Sequence, residues 1–292
     1  MAQVWDSETV AVRNLGVSER QPLLVARTRH GEPTPFHSDT HFELEIGVVI
    51  SGRTQRQIGG CDRVLGPGEV WLCGMWEPHR YRVVTAPNDT IVMVIRPQML
   101  VDLRFDEDPD HRWLMPFTVP PEHRPRPSPA VRPEILAWAG RMRRTIGVEH
   151  PRRALMQRVL LLELLLLLDR DWEYPRMRER VPARVAGVDQ AVELVFAHPA
   201  GITSADAARR CGFTRNRFSQ LFTELMGVSF AKFSLRYRLS GVASRLVRTP
   251  DPLKAIAPDW GFTDASHLLR CFKKQYGCTP MAYRRARGQM AG

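Results

Sequence analysis

Three side chains that could bind a metal ion lie in the first third of the chain, at His41, Glu45 and His79. Around the first two, the stretch HFELEI alternates polar and apolar residues, as a half-buried strand does. His41 and Glu45 would then point to the same face and could converge with His79, and with His37, on zinc or iron. The alternative is a polar strand face with a histidine at its rim, and the pattern leaves both interpretations open.

A short sequence that occurs twice indicates a second kind of chemistry. CGFTRNRFSQLF starts at residue 211 and WGFTDASHLLRCF at residue 260. Each copy predicts a helix that ends at a glycine, a phenylalanine packed between two helices, a capping threonine (Thr214 or Thr263), and a second helix with one apolar face. Such a pair is a helix-turn-helix, whose second helix can enter the major groove of DNA. The alternative is a duplicated helical core without a DNA role.

The positive charge of the chain is concentrated in the part that contains this repeat. Residues 181–292 hold 17 Lys and Arg against 7 Asp and Glu, so that they carry a net +10 of the chain's total of +11. A basic, aromatic-containing and folded segment indicates a polyanionic partner, with DNA as the leading candidate. A basic surface that serves solubility, or a segment that binds RNA or another acidic partner, would show the same charge.

The elements that must position these residues differ between the two halves of the chain. Residues 23–96 contain short β-branched runs separated by Gly-Gly, Pro-Gly and Pro-Asn, which predicts a sandwich or barrel. Residues 116–133 contain seven prolines, which predicts a linker or wrapped loop without regular structure. From Glu134 the apolar spacing becomes helical, with a second helix from about Arg152 to Asp169. The fold class predicted is therefore α+β.

The leucine-rich stretch VLLLELLLLL at residues 159–168 is too short for a membrane helix, which needs about 20 apolar residues. It includes Glu163 and is followed by charged residues, so we expect a buried helix. The amino-terminal sequence has no secretory signal pattern, and the five cysteines form no Cys-x-x-Cys pair. These observations favour a cytoplasmic protein with reduced thiols.

Residues 187–287 resemble the DNA-binding domain of the AraC/XylS family of transcription regulators. The most specific stretch is WGFTDASHLLRCFKKQYGCTPMAYRR, and a joining helix is expected at about residues 229–248. The resemblance implies that the two recognition helices present base-contacting residues, namely Arg215, Asn216, Ser219, Gln220, Ser266, His267, Leu269 and Arg270. It implies phosphate contacts at Thr214, Arg238, Thr263, Lys273 and Lys274.

Residues 30–96 resemble a cupin barrel, the sensor domain that commonly accompanies this DNA-binding domain. His41, Glu45 and Gly52 fit the first cupin motif and Gly68 and His79 fit the second, although Asp39 replaces the first histidine of the metal-binding pair. The resemblance implies a pocket for a small-molecule effector, with candidate lining residues His41, Glu45, Trp71, Trp76 and His79. It also implies that helices in residues 134–170 mediate homodimer formation.

Together these features predict a cupin-like sensor in residues 1–125, a helical dimerisation hairpin and linker in 126–180, and an AraC-type DNA-binding domain in 181–292. The predicted function is effector-controlled regulation of transcription, with double-stranded DNA, a small molecule and RNA polymerase as partners. No enzyme activity and no cofactor are expected, apart from a divalent metal that could occupy His41, Glu45 and His79. The alternative function is a metal-dependent cupin enzyme that carries a DNA-binding tail.

Overall fold

A computed structural model describes residues 11–13, 17–18, 20–109, 111–172 and 182–288 of the chain. The chain divides into two compact units, Met1–Pro182 and Ala183–Gly292. Most of the charged segment 174–184, where the sequence predicts a domain boundary, lies outside the described residues.

The first unit begins with a seven-stranded, mostly antiparallel sheet in which two long strands pair with each other over most of their length. The strands are β1 (Ala11–Arg13), β2 (Leu23–His30), β3 (His37–His41), β4 (Leu44–Ile58), β5 (Cys61–Leu65), β6 (Val70–Cys73) and β7 (His79–Ile95). Only β1 and β3 run parallel to each other among the described pairs. The β-branched runs at 46–50 and 91–95 thus lie in the two long strands, as their composition predicts.

The sheet changes partners halfway along both long strands. The first half of β4 pairs with β6 and its second half with β5, while β7 pairs with β3 near its start and with β2 near its end. Register shifts interrupt the β4–β7 ladder between Val49 and Thr54, and such bulges bend a strand. One apolar core cluster contains Val49 and Trp71 from one half and Ile58 and Leu65 from the other. The sheet therefore folds over so that its two halves share a core.

The proline-rich segment after the sheet is ordered against it. Short helices α1 (Gln98–Val101) and α2 (Met115–Thr118) and a 3-10 turn at Pro121–His123 follow β7. Phe117 and Val119 are fully buried, and the Arg124 guanidinium donates to the carbonyl oxygen of Leu72 and to the carboxylate of Glu77. The prediction that residues 116–133 lack regular structure is thus wrong for residues 116–118, 121–123 and 132–133, the last of which begin the next helix. The alternative of a wrapped loop describes the rest of the segment.

Two antiparallel helices complete the first unit, α3 (Arg132–Arg143) and α4 (Arg153–Arg170). Trp138 of α3 is fully buried and its indole Nε1 donates to the carbonyl oxygen of Leu160 at 2.6 Å. Salt bridges connect Arg141 to Glu163 and Arg170 to Glu134. The inner side of α4 is buried but its outer side exposes apolar side chains, at Leu155, Met156, Val159 and Leu166. The expectation of a buried leucine-rich helix therefore holds for one side only.

The second unit is entirely helical in its described residues. Its helices are α5 (Pro182–Ala197), α6 (Ser204–Arg210), α7 (Arg215–Met226), α8 (Phe230–Arg248), α9 (Leu253–Asp259), α10 (Ala265–Tyr276) and α11 (Pro280–Gly288). A sheet-containing first unit and a helical second unit confirm the α+β fold class, while the cupin-like form of the sheet remains a prediction. Among the described helices, none is both long and apolar enough to cross a membrane.

Candidate nucleic-acid interface and buried histidine–carboxylate cluster

Helices α6 and α7 form the first helix-turn-helix. The amide of Phe213 donates to the carbonyl oxygen of Ala208 at 2.9 Å, which closes the turn after α6, and Gly212 adopts a positive φ of 72° that favours glycine. Thr214 caps α7, because its hydroxyl accepts a hydrogen bond from the amide of Arg217. Helix α7 ends at Gly227, whose backbone adopts the left-handed conformation that favours glycine.

Helices α9 and α10 repeat this construction in the second copy. The amide of Phe262 donates to the carbonyl oxygen of Ala257 at 3.0 Å, Gly261 has a φ of 67°, and α10 ends at a left-handed Gly277. Helix α9 begins at Leu253 and Pro258 lies in its last turn. Pro258 has no amide hydrogen, so the last turn of this helix lacks the hydrogen bond that residue 258 would otherwise donate.

The cap of α10 is Asp264, one residue later than Thr263, which the sequence predicts as the cap. The Asp264 carboxylate accepts from the amide of His267 at 2.7 Å, and this hydrogen bond lowers the pKa of Asp264. The glycine turns of the two copies, at Gly212 and Gly261, are 49 positions apart, but the helices that follow them are 50 positions apart, so the second copy contains one inserted residue. This insertion moves the equivalent of Thr214 from position 263 to position 264. The Thr263 hydroxyl instead lies 3.3 Å from Nδ1 of His267.

The cores of the two copies are also equivalent. Phe222 of α7 packs edge-on against Phe233 of α8, with ring centroids 5.5 Å apart. Fifty positions later, Phe272 of α10 packs edge-on against Tyr283 of α11 at 5.4 Å. Phe222 and Phe272 are both fully buried. Two helix-turn-helix units with the same hydrogen bonds, glycine turns and aromatic packing are therefore present in the second unit.

Helix α8 joins the two copies and contributes to both cores. Its first turns supply Phe230 and Phe233 to the first copy, and its last turns supply Leu239, Val242 and Leu246 to the second. It is 19 residues long, which corresponds to about 28 Å at about 1.5 Å per residue. Near its middle, Gly241 leaves space for the Trp260 ring, which a Cβ would overlap. A continuous helix that packs on both sides fixes the relative position of the two copies.

Arg238 of α8 stabilises the second turn from inside the unit. Its Nη1 donates to the carbonyl oxygen of Gly261 at 2.8 Å, and its guanidinium lies 4.7 Å from the centroid of the Phe262 ring. The Arg238 side chain is partly buried, and this burial lowers its pKa. The structure therefore gives Arg238 a structural role at the second turn, and its predicted phosphate contact remains a prediction.

The outer faces of α7 and α10 expose most of the residues predicted to contact DNA. Seen along the helices, four positions of α7 correspond to four positions of α10 at an offset of 50, and all eight are exposed. They are Asn216, Ser219, Gln220 and Thr223 on α7, and Ser266, Leu269, Arg270 and Lys273 on α10. The face of α7 is uncharged at these positions, although the exposed Arg215 precedes them, whereas the face of α10 carries two cations and is continued by Lys274.

His267 differs from the other predicted base contacts because its ring packs inward. It is only half-exposed, its ring lies 5.5 Å from the Phe262 ring, and its Nδ1 faces the Thr263 hydroxyl. These contacts place His267 against the turn that precedes α10. On α7, the Arg217 guanidinium donates to the side-chain oxygen of Gln220 at 3.1 Å, which leaves the Gln220 amide group as a donor. Sequence reasoning did not single out Arg217 for this supporting role.

His41, Glu45 and His79 come together in the folded sheet of the first unit. Their ligand atoms all lie within 4.8 Å of one another, and all three residues are buried. Nδ1 of His41 contacts the carbonyl oxygen of Glu43 and Nδ1 of His79 that of Glu77, both at 2.9 Å. Nε2 of both rings therefore faces the Glu45 carboxylate, at 3.6 and 3.9 Å. The fourth candidate, His37, is exposed and packs on Tyr81 instead.

Charge within this cluster is already balanced by protein groups. Oε1 of Glu45 accepts from Arg56 at 3.1 Å and from Nε1 of Trp71 at 2.6 Å. Burial by itself raises the pKa of Glu45, but His41 and the positive charge of Arg56 outweigh burial and hold this pKa well below its usual range. For the imidazoles burial acts in the opposite direction and lowers the pKa of His79. At His41 burial also lowers the pKa, but the interactions with Glu45 outweigh burial and the pKa is raised. Glu45 is therefore ionised beside the guanidinium of Arg56.

The two predicted effector-pocket tryptophans lie in different surroundings. Trp71 contacts the cluster through Glu45, and its ring fills the space over Gly47, which a Cβ would overlap. Trp76 is buried against Phe42, with ring centroids 4.8 Å apart, and its amide donates to the carbonyl oxygen of His41. Both tryptophans are buried, and their role in binding an effector remains a prediction.

The duplicated helix-turn-helix defines the second unit as a nucleic-acid-binding domain, and comparison with known proteins agrees. Residues 207–286 match the family described as "Helix-turn-helix domain". Together with the AraC/XylS motifs in the sequence, this match confirms the predicted AraC/XylS-type helix-turn-helix domain in the second unit. The cupin resemblance of the first unit is not tested by these matches.

Similar proteins share mainly this domain with the chain. An uncharacterized HTH-type transcriptional regulator YtdP of Bacillus subtilis is 33% identical over 89 residues, which are 30% of this chain and 12% of the relative. The Tn10 TetD protein of Escherichia coli is 32% identical over 80 residues, covering 27% of this chain and 58% of that protein. A crystal structure of an AraC-type regulator from Chromobacterium violaceum is 25% identical, with a TM-score of 0.34. The match covers 36% of this chain and 94% of that protein. The matched region thus spans less than two thirds of both curated relatives.

Proposed function

We propose that this protein is a sequence-specific, double-stranded-DNA-binding regulator of transcription. The observation that carries the proposal is the pair of helix-turn-helix units, which agree in their glycine turns, hydrogen bonds and aromatic cores. In each unit the outer face of the second helix, α7 or α10, is exposed to solvent. These faces offer the amide groups of Asn216 and Gln220, suited to adenine, and the guanidinium of Arg270, suited to guanine. Lys273 and Lys274 supply charge for phosphate contacts.

Each protomer is proposed to insert α7 and α10 into successive major grooves. One turn of DNA is about 34 Å long, and the joining helix α8 measures about 28 Å. A rigid connection of this length suits two grooves on one side of the duplex. Thr214 and Thr263 are exposed at the starts of the two helices, where their groups can approach the phosphate backbone.

Footprinting of the whole chain tests this arrangement. We expect hydroxyl-radical protection of two patches per protomer, centred about 10 base pairs apart, because α8 holds the two helices about one turn apart. Affinity for the selected duplex should fall steeply with salt concentration, since Lys and Arg displace counterions. Protection of a single groove, or equal affinity for an RNA of the same sequence, would contradict the proposal.

The first unit is proposed to sense a small-molecule effector and to mediate homodimer formation. The exposed apolar side of α4 supports the second part, because Leu155, Val159 and Leu166 are each more than half exposed. Binding of an effector would change how the first unit holds the dimer and thereby which DNA half-sites are occupied. Contacts with RNA polymerase would then set the transcriptional outcome. In this proposal the protein has no enzymatic activity and acts inside the cytoplasm.

The cluster of His41, Glu45 and His79 supports a second candidate, a metal-dependent enzyme with a DNA-binding tail. Two histidine Nε2 atoms and one carboxylate oxygen fit the donor set of a borderline divalent metal such as Zn²⁺, and Nε2 of His41 is buried without a hydrogen-bond partner among the described residues. The guanidinium of Arg56, however, already neutralises Glu45 and opposes a second cation. A metal ion there would supply Lewis-acid chemistry.

Metal analysis of the purified protein distinguishes the two functions. We expect much less than one Zn or Fe per chain, because Arg56 supplies the positive charge that Glu45 requires. His79→Ala should then leave the metal content unchanged. His37→Ala is the matched control, since His37 is exposed and lies outside the cluster. A stoichiometric metal that is lost in H79A and kept in H37A would favour the enzyme candidate.

A further inference from the structure

A cleft in the first unit is lined by four arginines, which come from three separate parts of the chain. Arg56 lies in β4, Arg63 in β5, and Arg124 and Arg126 follow the 3-10 turn. The other described lining residues are mostly apolar, and no Asp or Glu is among them. The apolar wall includes Ile58, Leu65, Trp71, Leu72, Pro121 and Pro125.

Three of these arginines are paired with carboxylates that are not among the lining residues of the cleft. Arg56 is paired with Glu45 at 3.1 Å, Arg124 with Glu77 at 2.6 Å, and Arg63 with Glu69 at 3.6 Å. The side chains that line the cleft are therefore basic or apolar, although three of the four arginines have acidic partners. Such a surface attracts an anion that also carries an apolar body.

Arg56 provides an independent indication of a ligand. Its side chain is only 7% exposed, and its guanidinium is stacked 3.7 Å from the centroid of the Trp71 ring. Its Nε is buried and has no hydrogen-bond partner among the described residues. A buried donor without an acceptor is costly, and an anion in the cleft could supply the acceptor.

The arginines at the rim also repel one another. Burial, followed by the positive charge of Arg126, lowers the pKa of Arg63. The Arg126 side chain is exposed, and its Nη2 donates to the carbonyl oxygen of Glu122 at 3.1 Å. A bound anion would relieve this repulsion and accept charge-assisted hydrogen bonds from both side chains.

We infer that this arginine cleft binds the carboxylate group of a small organic acid. The cleft is open to solvent and has a small volume of about 30 Å³. It therefore admits a head group, while the body of the acid lies along the apolar wall. The inference rests on the proposed function, since it names the chemical class of the effector, and it places the effector beside the cluster of His41, Glu45 and His79.

The cleft is connected to that cluster by two side chains. Arg56 and Trp71 both line the cleft, and both donate to the same oxygen of Glu45. A carboxylate that binds Arg56 competes with Glu45 for the guanidinium. Glu45 in turn contacts His41 and His79, so that occupation of the cleft is transmitted to the strands that carry these histidines.

Isothermal titration of the whole chain, without DNA, tests the inference with probes of equal size and different charge. Hexanoate is expected to bind, whereas hexan-1-ol and hexylamine are not, because the cleft requires a negative head group. Inorganic phosphate alone is expected to bind at least about tenfold more weakly than hexanoate, since it makes no use of the apolar wall. Binding of hexylamine, or tighter binding of phosphate than of hexanoate, would overturn the inference.

Substitutions at the rim locate the binding site. Arg63→Gln and Arg126→Gln are each expected to weaken hexanoate binding by about tenfold or more, the usual size of a charge-assisted hydrogen bond. Arg143→Gln is the matched control, because Arg143 is an exposed arginine of α3 that does not line the cleft. Unchanged affinity in both rim variants would overturn the inference.

A crystal structure of the unsubstituted protein with hexanoate gives a test that does not depend on the stability of any variant. A carboxylate bound to Arg56 and Arg63 supports the inference, and a carboxylate bound anywhere else overturns it. These measurements contain no DNA, and the footprint contains no acid. Failure of the inferred cleft and failure of the proposed DNA-binding function are therefore distinguishable.

Discussion

Replacing Arg270 by alanine is expected to lower affinity for the specific DNA site by about 5- to 150-fold, which corresponds to about 1–3 kcal/mol. Arg270 is exposed on the face of α10 opposite the buried Leu268 and Phe272. Its guanidinium can donate two hydrogen bonds to O6 and N7 of one guanine. We expect the loss to be largest at a single base pair, where the variant should accept all four bases. Competition binding with single-base variants of the site measures this.

Lys274→Ala is the matched control for a cation on the same helix. Lys274 is also exposed on α10, but we expect it to contact a phosphate, because a lysine beside the recognition face is placed to reach the backbone. Its removal should weaken all duplexes equally and reduce the slope of log affinity against log salt by about one. If Arg270→Ala also weakened specific and random DNA equally, Arg270 would be a phosphate contact and the assignment of α10 as the reading helix would fail.

The difference between the faces of α7 and α10 explains why the largest effect is expected at Arg270. At the four corresponding positions α7 offers two amide and two hydroxyl groups, whereas α10 offers the cations Arg270 and Lys273. Hydrogen bonds from charged donors are about twice as strong as those between neutral groups. Substitutions at Gln220 should therefore change sequence preference with a smaller loss of affinity. The duplicated scaffold thus carries two unequal reading surfaces.

The repeat made most of the second unit predictable from sequence. Gly212 and Gly261 stand where turns require a positive φ, and Phe222 and Phe272 stand where apolar spacing requires burial. Such local patterns depend on residues close together in the chain. The α10 cap was predicted one residue early, at Thr263, because Asp264 and threonine are both good caps and the insertion could lie on either side. Only the hydrogen bond to His267 decides between them.

Features that depend on distant residues were not predictable in the same way. Arg238 is one of several cations on α8, and its inward orientation depends on a carbonyl group 23 positions later, at Gly261. The arginine cleft combines Arg56 with Arg124, two residues from different elements. No spacing in the sequence relates them, because a folded sheet and a wrapped proline-rich segment bring them together. The cluster of His41, Glu45 and His79 was proposed from motif spacing, but its neutralisation by Arg56 was not.

Gly261→Ala is expected to destabilise the second unit by about 2–5 kcal/mol, the sum of a left-handed backbone cost and of overpacking. A Cβ at position 261 would lie only 1.6 Å from the carbonyl oxygen of Ala200, and this atom belongs to the backbone. The turn must therefore move, and the carbonyl oxygen of Gly261 that Arg238 holds moves with it. Denaturant unfolding followed by circular dichroism measures the loss. In the footprint, we expect protection to disappear from the groove occupied by α10.

Gly212→Ala is the matched control that the duplication provides. Gly212 has nearly the same backbone conformation, with a φ of 72° against 67°, but no atom lies within 4 Å of the position that its Cβ would take. Only the backbone cost of about 1–2 kcal/mol is therefore expected. Equal destabilisation by the two substitutions would show that the contact with Ala200 does not constrain the second turn. A larger loss at Gly261 would show that the second helix-turn-helix is fixed by the α5–α6 connection as well as by α8.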